Sequence, residues 1–232
     1  MRRDARAVVF DLDDTLYPYR RFKISGFFAV ARYVSDRAGL DPQLIFRALV
    51  HASRQQRQGA ELQACLAQFE LPETWLPELI DVIRYHQPRL RLPNTSRRVL
   101  RQLRADGWRV GVLTNGPREI QTSKVAALGL ATCVDVIGYA STIGNGSGKP
   151  DPDAFAWVAR TLAVPAARTV FVGDNERCDI EGARAAGLLP VRCAAWVPSP
   201  STTAAQTVVH RLSHLPAIAS LLIEEASNRH VA

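Results

Sequence analysis

From about residue 95 to residue 194 the chain alternates between two periodicities, and no other feature restricts its fold as strongly. Helical spacing covers Thr95 to Ala105, "REIQTSKVAALGL", "DAFAWVARTLA" and "DIEGARAAG". Between these segments stand short runs rich in apolar and β-branched residues, "WRVGVLT", "CVDVIGY", "RTVFVGD" and "PVRCA". Strands separated by helices cannot pair as hairpins, so this order predicts a parallel sheet with helices on both faces. The early run Ala7 to Phe10 is short and wholly apolar, which suits a strand buried on both faces. Residues 197–207, "VPSPSTTAAQT", read as loop, and "LPAIASLLIEEA" reads as a closing helix.

The texture between the first strand and the others is different. Ile24, Phe27, Phe28, Ala31 and Val34 recur at helical spacing. The same holds for Leu44, Ile45, Ala48 and Leu49, for Leu62, Cys65, Leu66 and Phe69, and for Leu79, Ile80 and Ile83. Gly39, Pro42, Gly59 and the span from Pro72 to Pro77 separate these groups, giving about four helices between residues 20 and 86 and no strand. The predicted fold class is therefore α/β, a doubly wound parallel sheet with an inserted α-helical module. Residues 1–16 plus 93–232 form the α/β core and residues 17–92 the insertion, an arrangement that 232 residues accommodate.

Open α/β sheets bind ligands at the carboxyl ends of their strands. The residues at those ends here are Asp11 after "VVF", Thr114 and Asn115 after "VGVL", and Asp174 after "VFVG". Asp11 and Asp13 leave the first strand two positions apart, where their charges repel. Such a pair is compatible with a hard metal site, an acid/base pair or a solvated turn. Asp174 ends an apolar strand rather than opening a helix, so helix capping does not account for it. Asp179, five residues on and near a helix start, is also explained by the helix dipole. Convergence of Asp11, Asp13 and Asp174 requires a dication, and an all-oxygen ligand set suits Mg²⁺. Thr114 and Asn115 offer a hydroxyl, an amide and backbone N–H groups to phosphate oxygens, although Asn-Gly is equally a turn signal.

The stretch "IGNGSGKPDP" imitates a nucleotide-binding P-loop but fails as one. Its first required glycine falls on Ile143, Pro150 stands where a hydroxyl residue belongs, and Pro150 and Pro152 oppose a helix starting at the lysine. What remains is Lys149, a compact cation ahead of "PDPDAF", where Asp151 or Asp153 is placed to cap the next helix.

Taken together and in order, "DLDDT", "TNG", "GKP" and "GDNERCD" resemble the haloacid-dehalogenase-like (HAD) hydrolase superfamily. The resemblance is to its phosphatase branch with a helical cap after the first motif, and it covers nearly the whole chain. "TNGPREIQTSKVAALGL" and "KPDPDAF" are similar to the subgroup of small nucleotidases and acyl-sugar phosphate phosphatases. It implies a Rossmann-like core and the following roles. Asp11 is the nucleophile that forms an aspartyl-phosphate. Asp13 protonates the leaving alkoxide and then activates water. Asp11, the Asp13 backbone carbonyl and Asp174 hold Mg²⁺. Thr114, the Asn115 backbone and Lys149 bind the phosphoryl group, and Asp179 orients Lys149 or the metal waters from behind. The substrate implied is a small phosphorylated metabolite, a sugar phosphate or a nucleoside monophosphate. The cap is expected to close over the site and exclude water, with Arg20, Arg21, Lys23, Arg54 and Arg57 as candidates for reading the leaving group. For each of these, as for His51 and His86, an ordinary solvated position is the simpler reading.

Two departures from the family pattern stand out. The loop "STIGNGSG" is unusually rich in glycine, which would let Lys149 move until substrate binds, and Cys178 replaces an expected polar residue such as Asn. Competing functions are a phosphomutase of the same fold, a metal-independent dehalogenase and a non-catalytic binding protein. The net charge of +7 rests on 29 basic residues, of which only Lys23, Lys124 and Lys149 are lysine. The arginines are spread evenly and are not interleaved with aromatics, so no nucleic-acid partner is expected. Four cysteines without C-x-x-C spacing, no secretory signal and no apolar run near ~20 residues predict a cytoplasmic protein with reduced thiols and no membrane span, monomeric or homodimeric.

Overall fold

A computed structural model describes residues 5–55 and 59–229. The chain divides into two compact units, residues 1–18 with 91–232 and residues 19–90. In the first unit six parallel strands form one sheet in the order β3-β2-β1-β4-β5-β6. They are β1 (Ala7–Phe10), β2 (Arg109–Thr114), β3 (Val136–Tyr139), β4 (Thr169–Gly173), β5 (Leu189–Cys193) and β6 (Thr207–Val209). β1 is central and buried along its whole length, as its unbroken apolar run requires. Alternate residues serve opposite faces. Ala7 and Val9 join Phe155 and Val158 of helix α7 (Pro152–Thr161) and Ala183 of α8 (Gly182–Ala185) in one core cluster. Helices α5 (Asn94–Ala105) and α9 (Leu215–Arg229) pack on each other and on β2 and β4 respectively.

The strand order reverses direction at β1, with β2 on one side and β4 on the other, so the crevice of a doubly wound sheet opens between β1 and β4. Register fixes what faces that crevice. Phe10 pairs with Val172, and the Asp11 amide extends the ladder by donating to the Val172 carbonyl at 2.8 Å. Asp11 and the Gly173-Asp174 turn therefore leave the sheet side by side. β6 lies beyond the sequence expectation, which ended the sheet at β5 and read residues 197–207 as loop. Its three residues are too short for a periodicity signal, and the Ala194 amide secures them by donating to the Val209 carbonyl.

The second unit contains helices α1 (Arg20–Ala38), α2 (Pro42–Gln55), α3 (Glu61–Gln68) and α4 (Leu76–Tyr85), as the spacing predicts. Phe27, Val30, Val34, Ile45, Leu49, Leu62, Leu66 and Leu79 form its core. Phe28 and Leu44, grouped by spacing with that core, are instead half exposed, because the apolar stripes are wider than the buried faces. The second unit spans 19–90, two residues inside the expected 17–92 at each end. Tyr17 is fully buried in the first unit, and Leu16 accepts a bond from the Ser96 hydroxyl at 2.6 Å, so the acidic turn stays with the sheet through Pro18.

After β4 the chain enters a π-helical turn, Glu176–Glu181, rather than the regular helix start expected around Asp179. The wide turn brings Asp179 back over the strand end. A methyl group on Gly173 would fall inside the Asp179 side chain, so only glycine fits at the last position of β4. Gly173→Ala is expected to lower unfolding stability by about 1–3 kcal/mol, the cost of overpacking, as measured by urea denaturation.

Candidate active site

Four loops meet at the carboxyl edge of β1, β2 and β4, and each delivers one kind of group. The centre is Lys149. Its ammonium donates to Asp11 Oδ1 at 2.6 Å and to Asp179 Oδ1 at 2.7 Å, with the lysine side chain only 2% exposed. The second oxygen of Asp179 accepts the Asn175 amide at 3.0 Å. The backbone around Lys149 is equally constrained. Asn115 Oδ1 accepts the Lys149 amide at 2.7 Å while Asn115 Nδ2 donates to the Lys149 carbonyl at 2.8 Å. Gly148, at φ +73°, brings the loop close against that Asn115 side chain. The glycine-rich loop leaves Lys149 bonded at both its backbone and its ammonium. Its glycines supply left-handed turns, and side chains from β1, β2 and the π-turn hold the lysine. Asp151, as anticipated, caps α7 by accepting the Asp153 amide.

Asp11, Asp174 and Asp179 present oxygens within 4.8 Å of one another. Three carboxylates facing one ammonium leave excess negative charge in a site short of water. Burial is the main force raising the Asp11 carboxyl to about 8; Lys149 pulls it down, and Asp179 pushes it up again. Asp174 is raised to about 7, first by burial, then by Asp179 and Asp14. Burial opposes the charge on Lys149 too, but Asp11 and Asp179 more than offset that and hold its proton above the ordinary lysine range. A cluster that keeps its cation and resists full ionisation of its acids fits an additional hard cation bound through oxygen.

The Asp13 carboxylate is not part of that cluster. Tyr17 donates its hydroxyl to Asp13 Oδ1 at 2.5 Å, and Lys124 Nζ donates to Oδ2 at 2.7 Å. Asp13 can thus offer a metal its backbone carbonyl while its side chain is engaged elsewhere. Thr114, 1% exposed, lies at the end of β2. Gln121 Nε2 stands 2.5 Å from Thr114 Oγ1, 2.6 Å from the Asn115 carbonyl and 3.3 Å from Asp13 Oδ2. The carbonyl and the carboxylate only accept, which fixes the orientation of the Gln121 amide. Thr114 therefore accepts from Gln121, and its own proton points elsewhere.

All seven residues singled out by sequence lie at this edge of the sheet. The sequence reading missed Tyr17, Gln121 and Lys124. Gln121 and Lys124 lie within "TNGPREIQTSK" and share one face of helix α6 (Arg118–Leu128), where both are buried polar residues. A polar pair at i, i+3 on a helix behind a strand end was the available signal. In the helical unit Lys23 pairs with Glu61, and the ring of His86 faces the Ile83 carbonyl at 2.7 Å. Arg20, Arg21, Arg54 and His51 are exposed, and Arg57 lies outside the described residues. A groove of about 620 Å³ in that unit is lined by Leu44, Arg47, His51, Arg54 and Phe69 among others, with no carboxylate among the described residues that line it. All four cysteines are free; burial raises the Cys65 and Cys193 thiols to about 11. No helix among the described residues is long and apolar enough to cross a membrane.

The raised carboxyls make stability depend on pH. Asp11 and Asp174 hold protons in the folded state that they release near 3.8 when unfolded. Their favourable contribution is complete below about pH 4 and is lost as pH rises through about 7 to 8. In the presence of EDTA the melting temperature is expected to fall between those limits. Asp174→Asn is expected to flatten the fall and to exceed the parent in stability at pH 8, by on the order of 1 kcal/mol or more. Thermal scans across that range check both outcomes.

The haloacid dehalogenase-like hydrolase family profile matches residues 5–187. The chain is 30% identical over 196 residues to the glyceraldehyde 3-phosphate phosphatase of Methanopyrus kandleri, covering 81% of this chain and 83% of the relative. It is 34% identical over 123 residues to a plasmid phosphoglycolate phosphatase of Cupriavidus necator, covering 51% and 52%. Among solved structures, the HAD-hydrolase YfnB of Bacillus subtilis bound to magnesium superposes with a TM-score of 0.63 at 18% identity, over 93% of this chain and 98% of that one. With its switch-point carboxylates, its buried lysine and these relatives, the chain belongs to the haloacid dehalogenase-like hydrolases, in their phosphatase branch.

Proposed function

We propose that the protein is a Mg²⁺-dependent phosphatase that releases inorganic phosphate from a small phosphorylated metabolite through an aspartyl-phosphate on Asp11. The observation that carries this reading is the Lys149 ammonium on Asp11 Oδ1 at 2.6 Å, with Asp174 and Asp179 grouped around the same carboxylate. Lysine neutralises the nucleophile's surroundings so that a phosphate dianion can approach it. The relatives' names support a short phosphorylated acid or sugar over a nucleoside monophosphate.

Asp11 and Asp174, with the Asp13 backbone carbonyl, would hold Mg²⁺, which supplies positive charge against the phosphoryl oxygens. The remaining chemistry belongs to the chain. A carboxylate oxygen of Asp11 bonds to phosphorus as the ester P–O bond breaks, and Asp13 passes a proton to the departing oxygen, giving an alcohol. Asp13 then takes a proton from water as the water oxygen attacks the acyl phosphate, which frees phosphate and restores Asp11. The Thr114 hydroxyl, held by Gln121 as an acceptor, directs its proton to a phosphoryl oxygen. Asn115 acts through its backbone, because its side chain is committed to Lys149. Asp179 keeps the lysine in place. Phosphate monoesters need acceleration approaching ~10²¹-fold, about 29 kcal/mol, so positioning, charge and a covalent step must act together.

The engaged Asp13 separates this reading from a dehalogenase, which has no leaving oxygen to protonate. A phosphomutase would return the phosphoryl group to substrate and yield an isomer. Phosphate release from glyceraldehyde 3-phosphate, phosphoglycolate, glycerol phosphates and nucleoside monophosphates, with Mg²⁺ and with EDTA, tests the proposal. Turnover is expected only with the metal, and Asp11→Asn is expected to lose at least about 10³-fold with its fold intact. Equal turnover in EDTA, or an active Asp11→Asn enzyme, contradicts it.

A further inference from the structure

Lys124 is one of only three lysines in a chain that otherwise draws its positive charge from arginine. Each lysine pairs with a carboxylate, Lys23 with Glu61, Lys149 with Asp11 and Asp179, and Lys124 with Asp13. Two of the three lie at the site, and the Lys124 side chain is 5% exposed although its partner is 26% exposed. A buried ammonium paired with a carboxylate is costly to maintain unless the pairing matters. Nothing in the phosphate chemistry above uses Lys124.

Asp13 lies at the rim of the strand ends, where packing alone does not fix a short carboxylate. Two donors fix it, and they differ in kind. The Tyr17 hydroxyl on Oδ1 can donate or accept, so it can follow a proton on or off that oxygen. The Lys124 ammonium on Oδ2 can only donate. The third neighbour, Gln121 Nε2, is 3.3 Å from Oδ2 and has two nearer acceptors for its two hydrogens. Lys124 is therefore the group that reserves Oδ2.

We propose that Lys124 is a positioning residue for Asp13: by occupying Oδ2 it leaves Oδ1 as the oxygen that carries the proton to the leaving group and later takes one from water. The proposal rests on the acid/base reading of Asp13 given above. In the first step the ester P–O bond breaks as Asp11 bonds to phosphorus, and the proton on Oδ1 passes to the departing oxygen. Lys124 loses no proton and touches neither substrate nor phosphorus.

The leaving group provides the test. An alkoxide needs the proton in order to depart, whereas p-nitrophenolate departs without it. The comparison uses kcat/KM of the full-length Mg²⁺-loaded enzyme for an alkyl phosphate, glycerol 3-phosphate, and for p-nitrophenyl phosphate. Their ratio does not depend on how much of a variant is folded. Lys124→Met is expected to slow both substrates but to lower the alkyl-to-aryl ratio by about tenfold or more, within the range that general acid catalysis supplies. Lys124→Arg, which keeps a donor-only cation, is expected to recover part of the ratio and serves if the Met variant does not fold. A ratio equal to that of the parent in the Lys124 variants, with Asp13→Asn showing the drop, overturns the role of Lys124 alone. An unchanged ratio in Asp13→Asn as well removes the acid/base reading beneath it.

Discussion

A single buried ammonium organises the catalytic end of the sheet. Lys149 joins Asp11, just past β1, to Asp179 on the π-turn after β4, two segments that the sheet register brings together but that their charges would drive apart. Without the lysine, three carboxylates would share a site largely cut off from water. With it, the cluster tolerates two negative partners and still has electrostatic room for one further cation. Several peculiarities of the chain follow from keeping that ammonium in place. Asn115 clamps its backbone, Gly148 lets the loop pass close to Asn115, Gly173 leaves space for Asp179, and the wide turn at Glu176–Glu181 lets the chain reach back.

The carboxylates of the site differ in their surroundings rather than in their chemistry. Asp11 and Asp174 lose solvent and have acidic neighbours, surroundings that suit the metal-holding and nucleophilic roles proposed for them. Asp13, only two residues from Asp11, faces a tyrosine hydroxyl and a lysine and is held apart from the cluster. Identical side chains two positions apart at one strand exit thereby meet different surroundings. The Asp13–Tyr17 contact also keeps the acidic turn with the sheet, so it links local geometry to the place where the helical insertion begins.

The parallel sheet was legible because its strands are either uniformly apolar or followed by helices of clear period, and Asp11, Thr114 and Asp174 were legible because they punctuate those strands. β6 was not, since three residues at a sheet edge carry no period. The π-turn was not, because its sequence reads as an ordinary helix start. Tyr17, Gln121 and Lys124 escaped notice for a different reason. Tyr17 on its turn carries no pattern, the Gln121–Lys124 pair marks a helix face but not its target, and only the fold brings the three to Asp13 and Thr114. The bonds that hold Lys149 were hidden in the same way, because its partners Asn115 and Asp11 lie far away in the chain.

The central claim is that phosphorus passes onto Asp11. Acid-quenching the Mg²⁺-loaded enzyme during turnover, followed by mass spectrometry of its peptides, tests this most directly. The account predicts a phosphoryl group on the peptide containing residue 11, localised to Asp11 and discharged by hydroxylamine as an acyl phosphate is. Turnover with that peptide unmodified at every quench time, or with the label on another residue, would contradict it.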